Sequence, residues 1–535
     1  MVAADNETAA KVGAQVLADG GNAADAAAAT AFALGVVHPG SSGLGGGGFA
    51  LVFVAKENKV YVLDFREVAP GDLTPDKFER DGKVDGDLSL RGGLAIAVPG
   101  EVAGLELLVK RFGDRSFAQA VKPAEDLARN GFAVGEFLAE QAGFWSEQNL
   151  PDPWFSAWLA KAKLGAKVKR PKLANTLAAI RKKGARGFYE GWVAKDIAAT
   201  AIDRGGVMTV ADLKGYTVQE REPLWGEWQG KKVATMPLPS SGGLIVLATL
   251  GVLDASGLDL ADLGAGSSAY LHVLAEVFKH TFADRARFLG DVGHGTVTEK
   301  QFLDPKRLRK LAKRINPLSV GKHDEYGDPT LGAPTKVKVD RGTSHVCVVD
   351  AEGNAVALTT TVNFSFGAKV VAPKSGVVLN NEVDDFALFD GAVNAFGLQQ
   401  GQANVVGPGK RPLSSMSPTL VFQDDKVVAC LGGSGGPRII ANVVQVLLNV
   451  YAHGMDVRAA IDAPRIHHQW NPDTLFLEDG IPRDVQSLLK ARGHDLKADW
   501  ETSASIQGII IRDDGTREAA SDPRKMGAPA AEDSL

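Results

Sequence analysis

Cysteine is nearly absent: the 535 residues contain two, Cys347 and Cys430. That excludes a disulfide framework and any Cys-x-x-Cys or zinc-type cluster. Both thiols sit in apolar, strand-like runs and are expected to be buried and inert, a single bridge being their one other use. Long hydrophobic runs are missing too. The nearest approach, residues 23–37, is alanine-rich, is interrupted by Asp25 and stops at His38-Pro39, so it reads as a buried helix and not as a membrane span. Charge of one sign is also lacking. A formal charge of −5 and a pI near 6.1 give no global attraction to nucleic acid or anionic lipid. The densest basic runs, 161–172 and 306–314, read as solvated helix faces, the second with Leu308 and Leu311 on its opposite side. The chain opens on polar Asp5-Asn6-Glu7 without the basic-then-apolar pattern of an export signal.

What is present suits an extensive core: 45% of residues are hydrophobic and 23% charged. No low-complexity linker and no repeat of 20 to 50 residues divides the chain, so one body is expected. Asn6 and Asn22 are candidate N-caps of two helices, stopped by Gly20-Gly21 and Pro39-Gly40. A glycine-rich turn, 43–48, leads into a predicted hairpin of 49–54 with 59–65. Residues 100–330 read as mainly helical. From 315 to 342 apolar periodicity disappears and an exposed tail or linker is expected. Beyond it the pattern turns to strands: 344–349 and 355–362 as a hairpin, then 376–379, 418–422 and 427–431, followed by a helix from Pro437 to about Tyr451.

The junction Gly342-Thr343 has a chemical use. A threonine hydroxyl can attack the strained peptide before it, and hydrolysis of the resulting ester exposes an α-amine. That amine, with a reference pKa near 8, can act as general base for its own hydroxyl. A threonine after glycine at a strand start is also an ordinary structural arrangement. A second feature is Gly432-Gly433-Ser434-Gly435-Gly436-Pro437, between a strand and a helix opened by proline. Such a turn aims N–H groups at a developing oxyanion, or simply makes a tight turn. The same run matches the Gly-x-Ser-x-Gly elbow, with Asp462 and His467 in the right chain order for an α/β-hydrolase built on Ser434.

Polar residues at strand ends form the third feature: Arg66, Asn363, Glu382, Asp385, Ser414 and Ser415. A cation with two hydroxyls suits an α-carboxylate, while carboxylates and an amide oxygen suit an α-ammonium group. Each also fits a cap, turn or surface role. His467-His468 do not read as a metal site, because neighbours along a strand face opposite ways. The 43–48 turn lacks the Lys-Ser/Thr of a phosphate loop. No metal or cofactor is expected.

Gly46-Gly47-Gly48-Phe49, Asp64-Phe65-Arg66-Glu67, Thr343-Ser344-His345, residues 380–386, residues 410–419 and His467-His468-Gln469-Trp470 resemble the γ-glutamyltransferase family, in a match running from about residue 2 to Arg524. The resemblance implies an α/β (α+β) fold, a four-layer αββα sandwich of the N-terminal-nucleophile hydrolase type. It implies one composite domain cut into residues 1–342 and 343–535. It assigns Thr343 as nucleophile, Thr361 as its orienting partner, and the N–H groups of Gly435 and Gly436 as the oxyanion hole. Arg66, Ser414 and Ser415 would then bind the glutamyl α-carboxylate, and Asn363, Glu382 and Asp385 the α-amino group. The implied substrates are glutathione, other γ-glutamyl amides and acceptor amino acids or peptides, at a periplasmic or extracellular location. One position departs from a common bacterial pattern: Phe396 stands in the lid loop where a tyrosine hydroxyl usually bonds the residue matching Asn363. A looser lid, favouring water or longer substrates, is expected. The rival readings are a related acylase for glutaryl-type or poly-γ-glutamyl substrates, the Ser434 hydrolase, and an unprocessed, non-enzymatic binding protein.

Overall fold

Alternation of side chains along two sheets sorts the core into layers. The computed structural model describes residues 1–148, 153–295, 297–326, 342–498 and 504–532. Its thirteen main strands are β1 Val2–Ala4, β2 Gly47–Val54, β3 Lys59–Phe65, β4 Gln219–Arg221, β5 Leu224–Trp228, β6 Lys231–Thr235, β7 Ser344–Val349, β8 Ala355–Thr361, β9 Thr419–Gln423, β10 Lys426–Ser434, β11 Ser505–Ile511, β12 Arg517–Ser521 and β13 Ala528–Ala530. One sheet runs β13-β1-β7-β8-β2-β3-β4 and the other β12-β11-β10-β9-β6-β5.

Successive residues of a strand point to opposite faces. In the first sheet Phe49, Leu51, Phe53, Cys347, Val349, Ala355 and Ala357 therefore face the second sheet, meeting Phe422, Ala429 and Leu431. Their neighbours Ala50, Val52, Val346, Val348, Val356 and Leu358 face outward, onto the helices Glu7–Ala18 and Ala23–Val37. The second sheet is covered in turn by Ser241–Ser256, Ser268–Phe288 and Arg438–Tyr451. The result is the expected four-layer αββα arrangement. Strands buried on both faces explain why so many read as unbroken apolar runs. The alanines of Ala23–Val37 let that wholly buried helix lie close to the sheet, and a capping box of Asn22 with Asp25 starts it. No helix among the described residues is long and apolar enough to cross a membrane.

Three expectations need correction. The stretch 100–330 also supplies β4, β5 and β6, which complete both sheets; β4 and β6 join them through distant partners, Leu63 for Glu220 and Val421 for Val233, while β5 pairs with β6 as a hairpin. The first part of the supposed linker is exposed over most of its length, with Leu318 at 76%, but it is anchored to the body rather than being a loose tail. Val320 N–H donates to the Arg492 carbonyl at 2.9 Å, and Tyr326 is buried against Glu276 and His280; residues 327–341 lie outside the described ones. The basic run 161–172 is mostly loop, with the helix beginning at Pro171, whereas 306–314 does form the expected helix with Leu308 and Leu311 buried.

Leu358 is fully buried under the alanine helix. Leu358→Ala is expected to cost about 3 kcal/mol, as large-to-small core changes do, read as a lower denaturation midpoint. A loss below about 0.5 kcal/mol, the scale of an ordinary surface change, contradicts this layer assignment.

Candidate active site

Antiparallel register brings two threonines together. Ser344 pairs with Thr360, so Thr343, one step before β7, meets Thr361 at the end of β8. Their Oγ atoms are 2.8 Å apart, and Thr361 Oγ also accepts the Asn363 N–H at 2.8 Å. The backbone at this point is constrained. Thr343 has φ of 80°, a region a β-branched residue rarely enters. Its N–H donates to the Ser41 carbonyl at 2.8 Å, and its own carbonyl accepts from Lys525 Nζ. Gly342 is required by space: a Cβ there would lie 1.7 Å from the Asn363 carbonyl oxygen. The 342–343 peptide is thus gripped on both sides.

The glycine-rich turn is shorter than its sequence suggests, because Gly432, Gly433 and Ser434 belong to β10. Gly435 and Gly436, at φ of 131° and 61°, reverse the chain into the helix Arg438–Tyr451. Phe396 sits directly on this turn, for a Cβ at Gly436 would come within 2.5 Å of its ring. The ring stacks on Phe364 with centroids 4.4 Å apart, and Gln469 Nε2 holds the Phe396 carbonyl at 3.1 Å. The triad expected of a Ser434 hydrolase does not assemble. Ser434 Oγ accepts from Lys525 at 3.1 Å, Asp462 pairs with exposed Arg458, and His467 bonds Gln469 at 3.0 Å.

A continuous set of contacts joins the threonines to the other predicted residues. Asn363 Nδ2 donates to the Asn381 carbonyl at 3.0 Å, and Asn381 Oδ1 accepts the Phe364 N–H at 3.0 Å. Next along the chain, Glu382 accepts from Arg66 Nη1, while Asp385 accepts from Nη2 at 2.5 Å and Glu67 lies 3.9 Å away. Arg66 Nε donates to the Pro412 carbonyl at 3.1 Å, which brings in Ser414 and Ser415. Asn380 fixes this loop, its Nδ2 donating to the Gly45 and Ala97 carbonyls at 2.8 Å each and its Oδ1 accepting from the N–H groups of Ala97 and Glu382.

Three carboxyls around one buried guanidinium cannot all ionise at no cost. Burial raises Glu382 and Asp385, with Arg66 opposing, and Glu67 is pushed up to about 7 by the same balance. Pattern reading missed Arg285, Asn380 and Lys525. Arg285 is buried in the helix Ser268–Phe288, donates to Ser241 Oγ at 2.9 Å and to Ser415 Oγ at 3.4 Å, and is lowered to about 10 by burial. Nothing local in Ala283-Asp284-Arg285 or Pro523-Arg524-Lys525 signals such roles.

Other groups carry less chemistry. Cys347 and Cys430 are free and buried, with Cys347 Sγ 3.3 Å from His345 Nε2. His272, Glu276 and His494 form a compact group among the described residues. Glu276 is already taken by Tyr326, the Gly321 N–H and Lys279, whose ammonium opposes a second cation. A cavity of about 680 Å³ between the sheet edges, lined by Phe53, Trp225 and Phe422, contains none of the predicted residues.

The chain is similar to known proteins over nearly its whole length. The family model described as gamma-glutamyltranspeptidase matches residues 9–532. The glutathione hydrolase proenzyme of Escherichia coli K12 is 39% identical over 532 residues, covering 98% of this chain and 90% of that one. A glutathione hydrolase proenzyme of Pseudomonas aeruginosa is 40% identical, covering 98% and 93%. Among solved structures, a cephalosporin acylase from Bacillus halodurans superposes with a TM-score of 0.86 at 26% identity, covering 99% and 95%.

Glu101, behind the β7-β8 hairpin, accepts from Thr360 Oγ at 2.6 Å and is pushed up to about 8 by burial. An acid that binds its proton more tightly when folded adds stability below its unfolded pKa and loses it as pH rises through the folded value. Glu101→Gln removes this loss. Relative to the parent, the variant is expected to gain on the order of 3 kcal/mol between about pH 5 and pH 9, seen in melting temperatures. A difference that does not vary with pH contradicts it.

Proposed function

The chain belongs to the gamma-glutamyltranspeptidase family, and from that premise we propose how its residues carry out γ-glutamyl transfer and hydrolysis. The observation that carries the reading is the 2.8 Å contact of Thr343 with Thr361 at a strained junction preceded by an obligatory glycine. Attack of Thr343 Oγ on the Gly342 carbonyl transfers the acyl group to the hydroxyl and frees the α-amine; water then hydrolyses the resulting ester, leaving a carboxylate on Gly342 and giving residues 1–342 and 343–535 as two subunits of one sandwich. The word proenzyme in the relatives' names supports this order of events.

In the mature protein the α-amine of Thr343 takes the hydroxyl proton, and Oγ attacks the γ-carbonyl of glutathione or a related γ-glutamyl amide. Thr361 orients the hydroxyl. The N–H groups of Gly435 and Gly436 receive the oxyanion, a contribution of about 3 kcal/mol per donor in comparable sites. Collapse expels the amine and leaves a γ-glutamyl ester on Thr343, which water, an amino acid or a peptide then resolves. Arg66, Ser414 and Ser415 bind the α-carboxylate. Arg66 has five N–H donors, and three are engaged by Glu382, Asp385 and Pro412, so two remain for that carboxylate. Asn363, Glu382 and Asp385 bind the α-ammonium, whose charge lets these crowded carboxylates ionise. This zwitterion cage favours a γ-glutamyl donor over the glutaryl-type substrate of a related acylase. The activity belongs outside the cytoplasm in this reading.

Mass analysis of the purified protein is expected to give two fragments, the second beginning at Thr343. Thr343→Ala is expected to stay in one piece and lose turnover by at least about 10³-fold, while Ser434→Ala stays active. An uncut Thr343→Ala chain that retains turnover rules the nucleophile out. Phe396 forms the lid over Gly436 without a hydroxyl for Asn363. Phe396→Tyr is therefore expected to raise the ratio of transfer to hydrolysis several-fold, measured with and without an acceptor dipeptide; an unchanged ratio removes the lid argument.

A further inference from the structure

A nucleophile that uses its own α-amine as base works only while that amine is unprotonated, and the structure puts a buried cation next to it. Lys525 lies in the short turn Pro523–Lys525 between β12 and β13 and is 2% exposed. Its Nζ donates to the Thr343 carbonyl oxygen and, at 3.1 Å, to Ser434 Oγ. It thereby ties the nucleophile to the strand that ends at the Gly435-Gly436 turn. A residue's carbonyl oxygen and its own nitrogen are about 3 Å apart, and the hydrogen bond adds about 3 Å more, so Nζ is within about 6 Å of the Thr343 nitrogen. This distance survives cleavage, because the carbonyl it grips belongs to the Thr343-Ser344 peptide, which is not cut.

Resting on the reading of Thr343 given above, we propose that Lys525 is a positioning residue whose positive charge keeps the freed α-amine of Thr343 neutral and basic. A like charge at this range disfavours the ammonium form. With an effective dielectric of about 20, it lowers an α-amine of reference pKa near 8 by about one to two units, leaving a working fraction of free base at neutral pH. Among the groups placed around the pair, Asp5 opposes this field in part and the others leave it standing. The Thr343 nitrogen faces the Ser41 carbonyl, and its side chain faces Thr361, both uncharged. His38, 3.3 Å from Ser344 Oγ, is held well below its usual value by burial and by Lys525, so it stays neutral. Asp5 is the acid facing Lys525 and offsets part of its charge; it also accepts from the His345 N–H, Ser505 and Gln507, and burial raises it while Lys525 opposes that rise. Asp522, beside it, is ion-paired with Arg465 and Arg524.

The charge and the hydrogen bond of Lys525 are separable. Lys525→Gln keeps a donor for the Thr343 carbonyl and removes the charge; Lys525→Arg keeps both. The test is kcat/KM against pH for a γ-glutamyl anilide, from about pH 5 to about pH 10, on protein whose cleavage has been verified by mass. For Lys525→Gln the acid limb is expected to move up by about one unit, with activity about tenfold lower near pH 6 and within about threefold of the parent near pH 9.5. For Lys525→Arg the limb stays within about 0.3 unit of the parent. A Lys525→Gln limb that does not move, or an equal loss at every pH, overturns the proposal. If the Gln variant does not cleave itself, Asp5→Asn takes its place: it removes a counter-charge, so the limb is expected to move down, and a limb that stays or rises overturns the proposal. Failure here leaves Thr343 essential, whereas failure of the nucleophile reading itself appears as turnover in an uncut Thr343→Ala chain.

Discussion

The grip on the 342–343 peptide is the constraint on which the rest of the site depends. Thr343 is held at φ of 80° because its N–H is bound by Ser41 and its carbonyl by Lys525, while its hydroxyl is pinned to Thr361. A single β-branched residue in that conformation costs of order 1–3 kcal/mol. The two packed sheets supply the stability that keeps it there. In the proposed cycle, cleavage of the 342–343 peptide relaxes that strain and creates the base that Thr343 uses, so folding energy stored at one bond becomes catalytic equipment.

The second organising feature is the crowding of charge around Arg66. Glu67, Glu382 and Asp385 share one guanidinium in a buried setting, and Arg285 stands behind Ser415. The cage is short of positive charge on the carboxylate side and keeps spare guanidinium donors on the other. An amino acid head group, bearing one charge of each sign, answers both needs. In the proposed reading, such a pocket selects a zwitterion more sharply than shape alone could, since a ligand lacking either charge leaves a buried group unpaired.

Much of this was legible in the chain. The apolar runs 49–54, 344–349 and 355–361 form strands because both of their faces are buried, and the alternation of Phe49, Leu51 and Phe53 with Ala50 and Val52 divides two cores. The break in periodicity before Gly342 marked the junction, although its first part is anchored at Val320 and Tyr326. Residues 219–235 went unread as strands: the β5-β6 hairpin is local, but the partners that bring β4 and β6 into the sheets lie far away in sequence. The elbow-like Gly-x-Ser-x-Gly run misled for the same reason: strand pairing of Gly432 to Ser434 with Gln507 to Ser505 draws the serine into the sheet.

By itself, the sequence determined most of the strands and the hairpin, and through its resemblance to the family it implied the layers and the residues with chemistry to offer. Side-chain period and glycine spacing are local properties, and they set local structure. Only the tertiary structure decided which polar groups meet: Arg66 with Glu382 and Asp385 across more than three hundred residues, and Lys525 with Thr343 across 182. Contacts at that separation are set by how the sheets stack, and stacking leaves no trace in the pattern of a single segment.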